Sequence, residues 1–300
     1  MTAEGALAPI RDQWAEWLLQ RRHGGDPAKR QAVLTKLATV RNRVLHGVEL
    51  EAGQTLLDVG AGDGLIGFGA VERVGPTGQV VFTDVSADLV NICRSLANQL
   101  GVADQCRFLV AGAEDLEPIA DDSVDAVTTR AVLIYVRNKP RAFTEFFRVL
   151  RPGGRISLYE PINRLMFPEP PGEFFWGYDV GPVGDLAAKL KGAEDCSGAA
   201  ASTLMDFDER DLFTFAEATG FRDIHLDLHR ELTRVRDPIV WEAFLATSPN
   251  PTAPTYGELI RRALTEAERT RLEGHLRPLV EAGERTKRLA EAHLWAQKQR

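Results

Sequence analysis

The chain has 300 residues, 44% of them hydrophobic, and a formal net charge of −7. That length and apolar content support a sizeable core and exclude a disordered chain. The acidic balance, broken only by short basic runs such as Arg21-Arg22 and Arg261-Arg262, argues against a protein built to hold a nucleic-acid backbone.

The first ten residues hold no basic stretch followed by an apolar run, so no signal peptide is expected. Residues 9–22 read as a helix, with Trp14, Trp17 and Leu18 on one side, either packed on the core or laid over a ligand as a lid. His23-Gly24-Gly25-Asp26-Pro27 breaks it. Residues 27–47 resume helical spacing, with Val33, Leu34, Leu37, Val40, Val44 and Leu45 on one stripe.

From residue 54 the chain alternates. Strands are expected at 54–59, 79–84, 105–110, 124–129 and 153–160, with helices near 64–74, 86–100 and 139–150. Such alternation predicts a doubly wound α/β sheet, parallel and covered on both faces, whose ligand lies beyond the carboxyl ends of the strands. Gly60, Asp84, Gly112-Ala113-Glu114, Arg130 and Glu160 all stand at or just after strand ends and should gather on one rim.

Residues 161–204 break the pattern with five prolines and the aromatic residues Phe167, Phe174, Phe175, Trp176 and Tyr178. A long excursion from the rim suits a functional lid, and its aromatic side chains suit either an acceptor pocket or a small core of the lid's own. A helix at 208–219, capped by Asp208 and ended by Gly220, leads into a strand at 221–235 with Ile224, Leu226 and Leu228 on one face. Helical segments at 238–247 and 256–283 follow. In residues 285–297 Ala290, Ala292, Leu294 and Ala296 alternate, while the alanines also favour helix; the segment is taken as the last strand on the sheet order given below.

The most informative stretch is Leu56-Leu57-Asp58-Val59-Gly60-Ala61-Gly62-Asp63-Gly64. An apolar strand runs into glycines at alternate positions, where backbone must bend tightly and pass close to a ligand. An acid, Asp84, ends the next apolar run, as expected of an enzyme that grips the ribose of an adenosine. With Val85 after it, Gly112-Ala113-Glu114-Asp115 after the third strand, and Leu150-Arg151-Pro152-Gly153-Gly154 before the fifth, the pattern resembles the class I S-adenosylmethionine-dependent methyltransferases. Within them it looks closest to the quinone-biosynthesis-like (type 11) small-molecule branch. The resemblance covers 54–160 well and 205–235 loosely.

The resemblance implies a Rossmann-like sheet of seven strands in the order 3-2-1-4-5-7-6, the last antiparallel. Residues 1–50 would be a helical cap on a methyltransferase domain at 51–300, with cap insertions at 161–204 and 238–283. It implies S-adenosyl-L-methionine as cofactor. Gly60, Gly62 and Gly64 would run under the methionine part, with Asp58 orienting that loop. Asp84 would accept both ribose hydroxyls, Gly112, Ala113 and Glu114 would sit at the adenine edge, Arg130 would lie near the methionine end, and Val85 would be a further cofactor-binding residue. Many relatives carry Asp or Asn where this chain has Gly112, so Glu114 or Asp115 would have to meet the adenine amine.

The expected reaction is methyl transfer to a small, partly apolar metabolite by in-line displacement, in a cytoplasmic enzyme that is a monomer or homodimer and needs no metal, nucleic acid or membrane. Gly62-x-Gly64-x-x-Gly67 also matches the dinucleotide fingerprint of an NAD(P)-dependent oxidoreductase, in a less natural register because the strand ends at Val59. A cofactor-binding partner subunit without catalysis is the third reading. Glu160 and His23 are candidate general bases, Glu160 alternatively holding a backbone turn. Asp63 is a candidate cap for the helix after the loop, and His225 with His229 share a strand face without further ligands. The three cysteines, Cys93, Cys106 and Cys196, lack metal-ligand spacing.

Overall fold

The structure, a computed structural model, describes residues 12–195 and 200–299. Cys196 and positions 9–11 of the first expected helix lie outside the described residues. That helix, α1 (Gln13–Leu19), starts at Asp12, whose carboxylate accepts the N–H groups of Trp14 and Ala15. The next, α2 (Pro27–Gly47), has the expected bounds and buries Val44 and Leu45 against the sheet.

The alternating region follows: β1 (Thr55–Val59), α3 (Leu65–Val74), β2 (Gln79–Asp84), α4 (Ala87–Leu100), β3 (Cys106–Val110), β4 (Val124–Arg130), α5 (Lys139–Val149) and β5 (Leu150–Pro161). Strands β1 to β5 pair in parallel in the order β3-β2-β1-β4-β5. Leu56 faces the layer of α2 and α3 with Ile66, Val80 and Phe82, while Leu57 and Val59 face Phe143, Phe146 and Leu158. Apolar residues at consecutive positions are what a sheet buried on both sides requires. Strand β5 begins at Leu150, earlier than the expected 153, because the Arg151-Pro152-Gly153-Gly154 turn forms a bulge inside it.

Beyond β5 come α6 (Asn163–Met166), the hairpin β6 (Phe174–Phe175) and β7 (Tyr178–Asp179), α7 (Gly184–Asp195), α8 (Ala200–Met205) and α9 (Glu209–Thr219). Helix α9 begins with a reciprocal capping box between Asp208 and Asp211 and ends at left-handed Gly220. Strand β8 (Arg222–Arg236) leads to α10 (Trp241–Ala246), α11 (Tyr256–Ala263), α12 (Glu266–Ala282) and β9 (Glu284–Gln297). The expected single helix at 256–283 is two. Thr265 and Glu268 form a second capping box that restarts the helix after Leu264, as Thr255 and Glu258 start the first.

Strand β9 runs antiparallel between β5 and β8, giving the seven-stranded order β3-β2-β1-β4-β5-β9-β8, as expected. Pairing with β5 stops at Glu291 opposite Pro161, yet β8 and β9 continue paired to Arg236 and Glu284. The last part of this ribbon therefore overhangs the carboxyl edge of the sheet. The two insertions meet there. Gly177 accepts from Thr286 N–H at 2.7 Å, and Ile239 N–H donates to Val280 at 3.2 Å. Phe175, Tyr178 and Leu190 of the first insertion share one core with Trp241, Phe244, Leu259, Leu276 and Val280 of the second. They are one cap, and burial of each large apolar side chain in it contributes roughly 1.5–3 kcal/mol.

Candidate active site

A cavity of about 870 Å³ lies between the carboxyl edge of the sheet and the cap. Its floor is the β1–α3 loop. Gly60 (φ 66°), Gly62 (φ 59°) and Gly64 (φ 86°) are all left-handed. A Cβ on Gly60 would stand 2.3 Å from Val132 Cγ2, and one on Gly62 would stand 3.2 Å from Leu18 Cδ2. The loop is thus confined from the β4 side and from α1, which only glycine permits in this conformation.

Two buried acids hold it. Asp58 accepts from Gly67 N–H at 2.9 Å and from Thr128 Oγ1 at 3.1 Å. Burial pushes its carboxyl up to about 7, against the pull of those hydrogen bonds and of Arg130. Asp84 accepts from Gly62 N–H and from Ser86 N–H, each at 2.9 Å, one on each oxygen. Burial raises its pKa too, and both bonds oppose that. Each carboxylate oxygen has a second lone pair, so Asp84 can still accept from a ligand in the cavity.

Val85, half exposed, and the segment Ala111-Gly112-Ala113-Glu114 form the neighbouring wall. A Cβ on Gly112 would press on Val85 Cγ1 at 3.3 Å, so glycine there keeps the Val85 face clear. Glu114 lines the cavity while one of its oxygens accepts from Asn138 N–H. Asp115 is turned to Glu117 N–H at 3.2 Å and is not among the lining residues. Asp63 is not a helix cap: Gly64 occupies that position without a side-chain bond, and Asp63 pairs with Arg30 at 3.4 Å.

The two candidate bases separate. His23 lines the cavity, and burial together with Arg22, Lys29 and Arg30 lowers its pKa to about 4. Glu160 does not line it. Fully buried, it accepts from Val132 N–H at 2.9 Å and, by further bonds to Leu133 and Ile134, holds the turn after left-handed Ala131. Its second oxygen has no partner, and burial pushes its pKa up to about 7. Of the two roles expected for Glu160, its placement favours holding the turn, away from the cavity wall. Arg130 lines the cavity at the end of β4.

Helix α1 covers the loop from above. Trp14 and Trp17 pack edge-on against Tyr135 at 5.0 and 6.3 Å, and Trp17 Nε1 donates to Ser248 of the cap at 3.0 Å. Asp12 fastens its start to α4, accepting from Ser86 Oγ at 2.5 Å, while Asp12 N–H donates to Asp88 at 3.0 Å. Trp176, stacked on Tyr256 at 4.0 Å, belongs both to the cap core and to the cavity wall.

Sequence reasoning missed Arg22, Tyr135 and the β9 residues Arg285–Arg288, all of which line the cavity. Only the overhang of β9 brings the last four there. His225 stacks on Trp295 at 5.0 Å, and His229 faces Glu231 at 3.6 Å. Among the described residues no three His, Cys, Asp or Glu side chains form a group that could hold a metal, and no helix is long and apolar enough to cross a membrane.

A family model described as a methyltransferase domain matches residues 50–169, which run from before β1 to past β5. The ubiquinone/menaquinone biosynthesis C-methyltransferase UbiE of Haemophilus ducreyi is 31% identical over 174 residues, 58% of this chain and 66% of that protein. UbiE of Pseudomonas putida is 38% identical over 125 residues, 41% of this chain and 48% of that one. The arsenite methyltransferase of Halobacterium salinarum is 33% identical over 117 residues, 39% and 29%. The chain thus spans less than two thirds of the length of these relatives. Among solved structures, the BH2331 protein of Bacillus halodurans superposes with a TM-score of 0.54 at 18% identity, covering 87% of this chain and 99% of that one. YcgJ of Bacillus subtilis gives 0.53, 18%, 87% and 98%. At that identity the likeness is one of fold.

Proposed function

We propose, on the premise that residues 50–169 are a class I S-adenosylmethionine-dependent methyltransferase domain, that this chain transfers a methyl group from S-adenosyl-L-methionine to a small, partly apolar metabolite. Residues 1–50 then form a helical cap, and 51–300 form the Rossmann-like domain with insertions at 161–204 and 238–283.

The observation that carries the reading is the joint placement of Asp84 and the glycine loop on the cavity floor, with Asp84 bonded to Gly62. The residues present fit the cofactor. Gly60 and Gly62 leave backbone bare where a Cβ would intrude, and Asp84 keeps lone pairs for two hydroxyls. The loop also lacks the lysine of a phosphate-binding loop, as suits a ligand without phosphate. When bound, the cofactor supplies an electrophilic methyl on a sulfonium, open to in-line displacement. Asp84 would hold the ribose, Val85, Ala113 and Glu114 would line the adenine side, and Arg130 would lie near the methionine end. Trp14, Trp17 and Tyr135 exclude water above the loop, and the cap positions the acceptor. His23, with its pKa lowered to about 4, is neutral at pH 7 and is one group on the cavity wall that could accept a proton, as a weak base, if the acceptor must lose one.

Calorimetry tests the reading. The chain should bind S-adenosylhomocysteine and not NAD(H). The reverse preference would make it an oxidoreductase, and binding of the first without methyl transfer to any acceptor would favour a partner subunit.

A further inference from the structure

Arg22 and Arg130 both line the cavity, and among the described residues neither forms a salt bridge with a carboxylate. Arg22 follows α1 in a short turn and lies over the Trp17 ring at 5.1 Å. That aromatic face positions the guanidinium without neutralising it. The acids nearby are engaged elsewhere. Asp63, which attracts Arg22, is paired with Arg30, and Asp58 is bonded to Gly67 and Thr128. Glu160 holds the turn behind Arg130. Burial, and after it the charge of Arg130, lower the pKa of Arg22 to about 10, against the weaker opposing pull of Tyr135 and Asp63. The same basic surroundings reach His23 and Lys29, and Lys29 in turn feels Arg285.

An enclosed pair of guanidinium groups is costly unless an anion completes it. The cofactor does not do so by net charge. Its ammonium and carboxylate offset one another, and its sulfonium adds a positive charge to the chamber. On the reading of the chain as a methyltransferase, we infer that the acceptor carries an anionic group, a carboxylate or a phosphate, received by Arg22 and Arg130. The planar forks of two arginines suit either group through paired N–H donors. The rest of the acceptor then extends toward Phe167, Trp176 and Tyr256, the apolar part of the wall. The anion also draws the acceptor toward the sulfonium, which favours the approach that methyl transfer needs.

The test uses the full chain saturated with S-adenosylhomocysteine and three probes of similar size: benzoate, phenyl phosphate and neutral benzyl alcohol, titrated by calorimetry. At least one anion should bind about tenfold tighter than the alcohol, in line with a charge-assisted pair of bonds. Which of the two binds identifies the group. Arg22→Met and Arg130→Met should each abolish most of that preference, and Arg22→Lys should keep part of it. Absence of any preference in the wild type, or its survival in both Met variants, would overturn the proposal. So would a loss in Arg22→Met of affinity for S-adenosylhomocysteine but not for 5′-methylthioadenosine, which lacks the carboxylate. The arginine would then serve the cofactor. Failure of the wild type to bind S-adenosylhomocysteine would instead sink the methyltransferase reading, and titration of the anions into the unliganded protein would still read the arginine pair.

Discussion

Asp84 and Gly62 are joined by a 2.9 Å hydrogen bond in which the acid that ends β2 accepts the N–H of the loop that follows β1. The second oxygen of the same carboxylate accepts from Ser86 at 2.9 Å, and Ser86 in turn donates to Asp12 at the start of α1. Loop, acid and helix α1 are thus one connected hydrogen-bonded unit.

Asp84→Ala should weaken S-adenosylhomocysteine by about tenfold or more, because charge-assisted bonds of this kind are worth roughly 1.5–3 kcal/mol. The same change leaves Gly62 and Ser86 N–H groups without their acceptor and should lower stability by about 1–3 kcal/mol. Calorimetry and urea denaturation read the two effects separately. Unchanged affinity would remove Asp84 from the binding site.

Gly60→Ala should disturb the loop more than its size suggests. Its Cβ would meet Val132 Cγ2 at 2.3 Å, in a left-handed conformation that costs an L-residue roughly 1–2 kcal/mol. Gly62→Val should also lose the cofactor, by pressing on Leu18 and filling the cradle. Normal S-adenosylhomocysteine binding by Gly62→Val would mean that the loop does not touch the ligand.

Trp14 and Trp17 line the cavity, so binding of S-adenosylhomocysteine should change tryptophan fluorescence, and Trp14→Phe with Trp17→Phe should remove most of the change. Hydrogen exchange should slow in 13–23 and in the cap as well as in the glycine loop. Protection confined to the loop would count against α1 as a lid.

The pH dependence of stability has opposed parts. Asp58 and Glu160 are raised to about 7, so the folded state holds protons that the unfolded chain has released, and their contribution falls as pH rises from about 4 to 7. His23 and His293 are lowered to about 4, so the unfolded chain binds the extra protons and stability rises over about 4 to 6.5. Over the shared window the two pairs offset one another. Glu160→Gln removes one of the falling contributions, so its stability relative to wild type should increase between pH 5 and pH 8 in urea titrations. A constant difference would mean that Glu160 ionises as an ordinary carboxylate.

The sequence by itself determined the sheet and the floor of the site. Strand and helix alternate with short connections, each readable from its own periodicity, and the glycines of the loop and Asp84 mark strand ends through local geometry. The last strand, 285–297, is ambiguous between helix and strand from its residues, and its place between β5 and β8 follows from the sheet order that the family resemblance implies. The capping box at Thr265 restarts a helix inside what reads in the sequence as one segment, 256–283. Tertiary structure alone decided what surrounds that floor. Glu160 turned to the backbone after β4 because unpaired buried N–H groups there needed an acceptor, a demand invisible in the spacing of side chains. That the two insertions share one core, with Phe175 and Tyr178 of the first packed among Trp241 and Phe244 of the second, is decided only in the fold. Arg22 came to stand with Arg130, and Trp17 with Ser248 across 231 residues of chain, only once α1 docked over the loop. Contacts over such separations leave no periodic trace, and they determine what the cavity can hold.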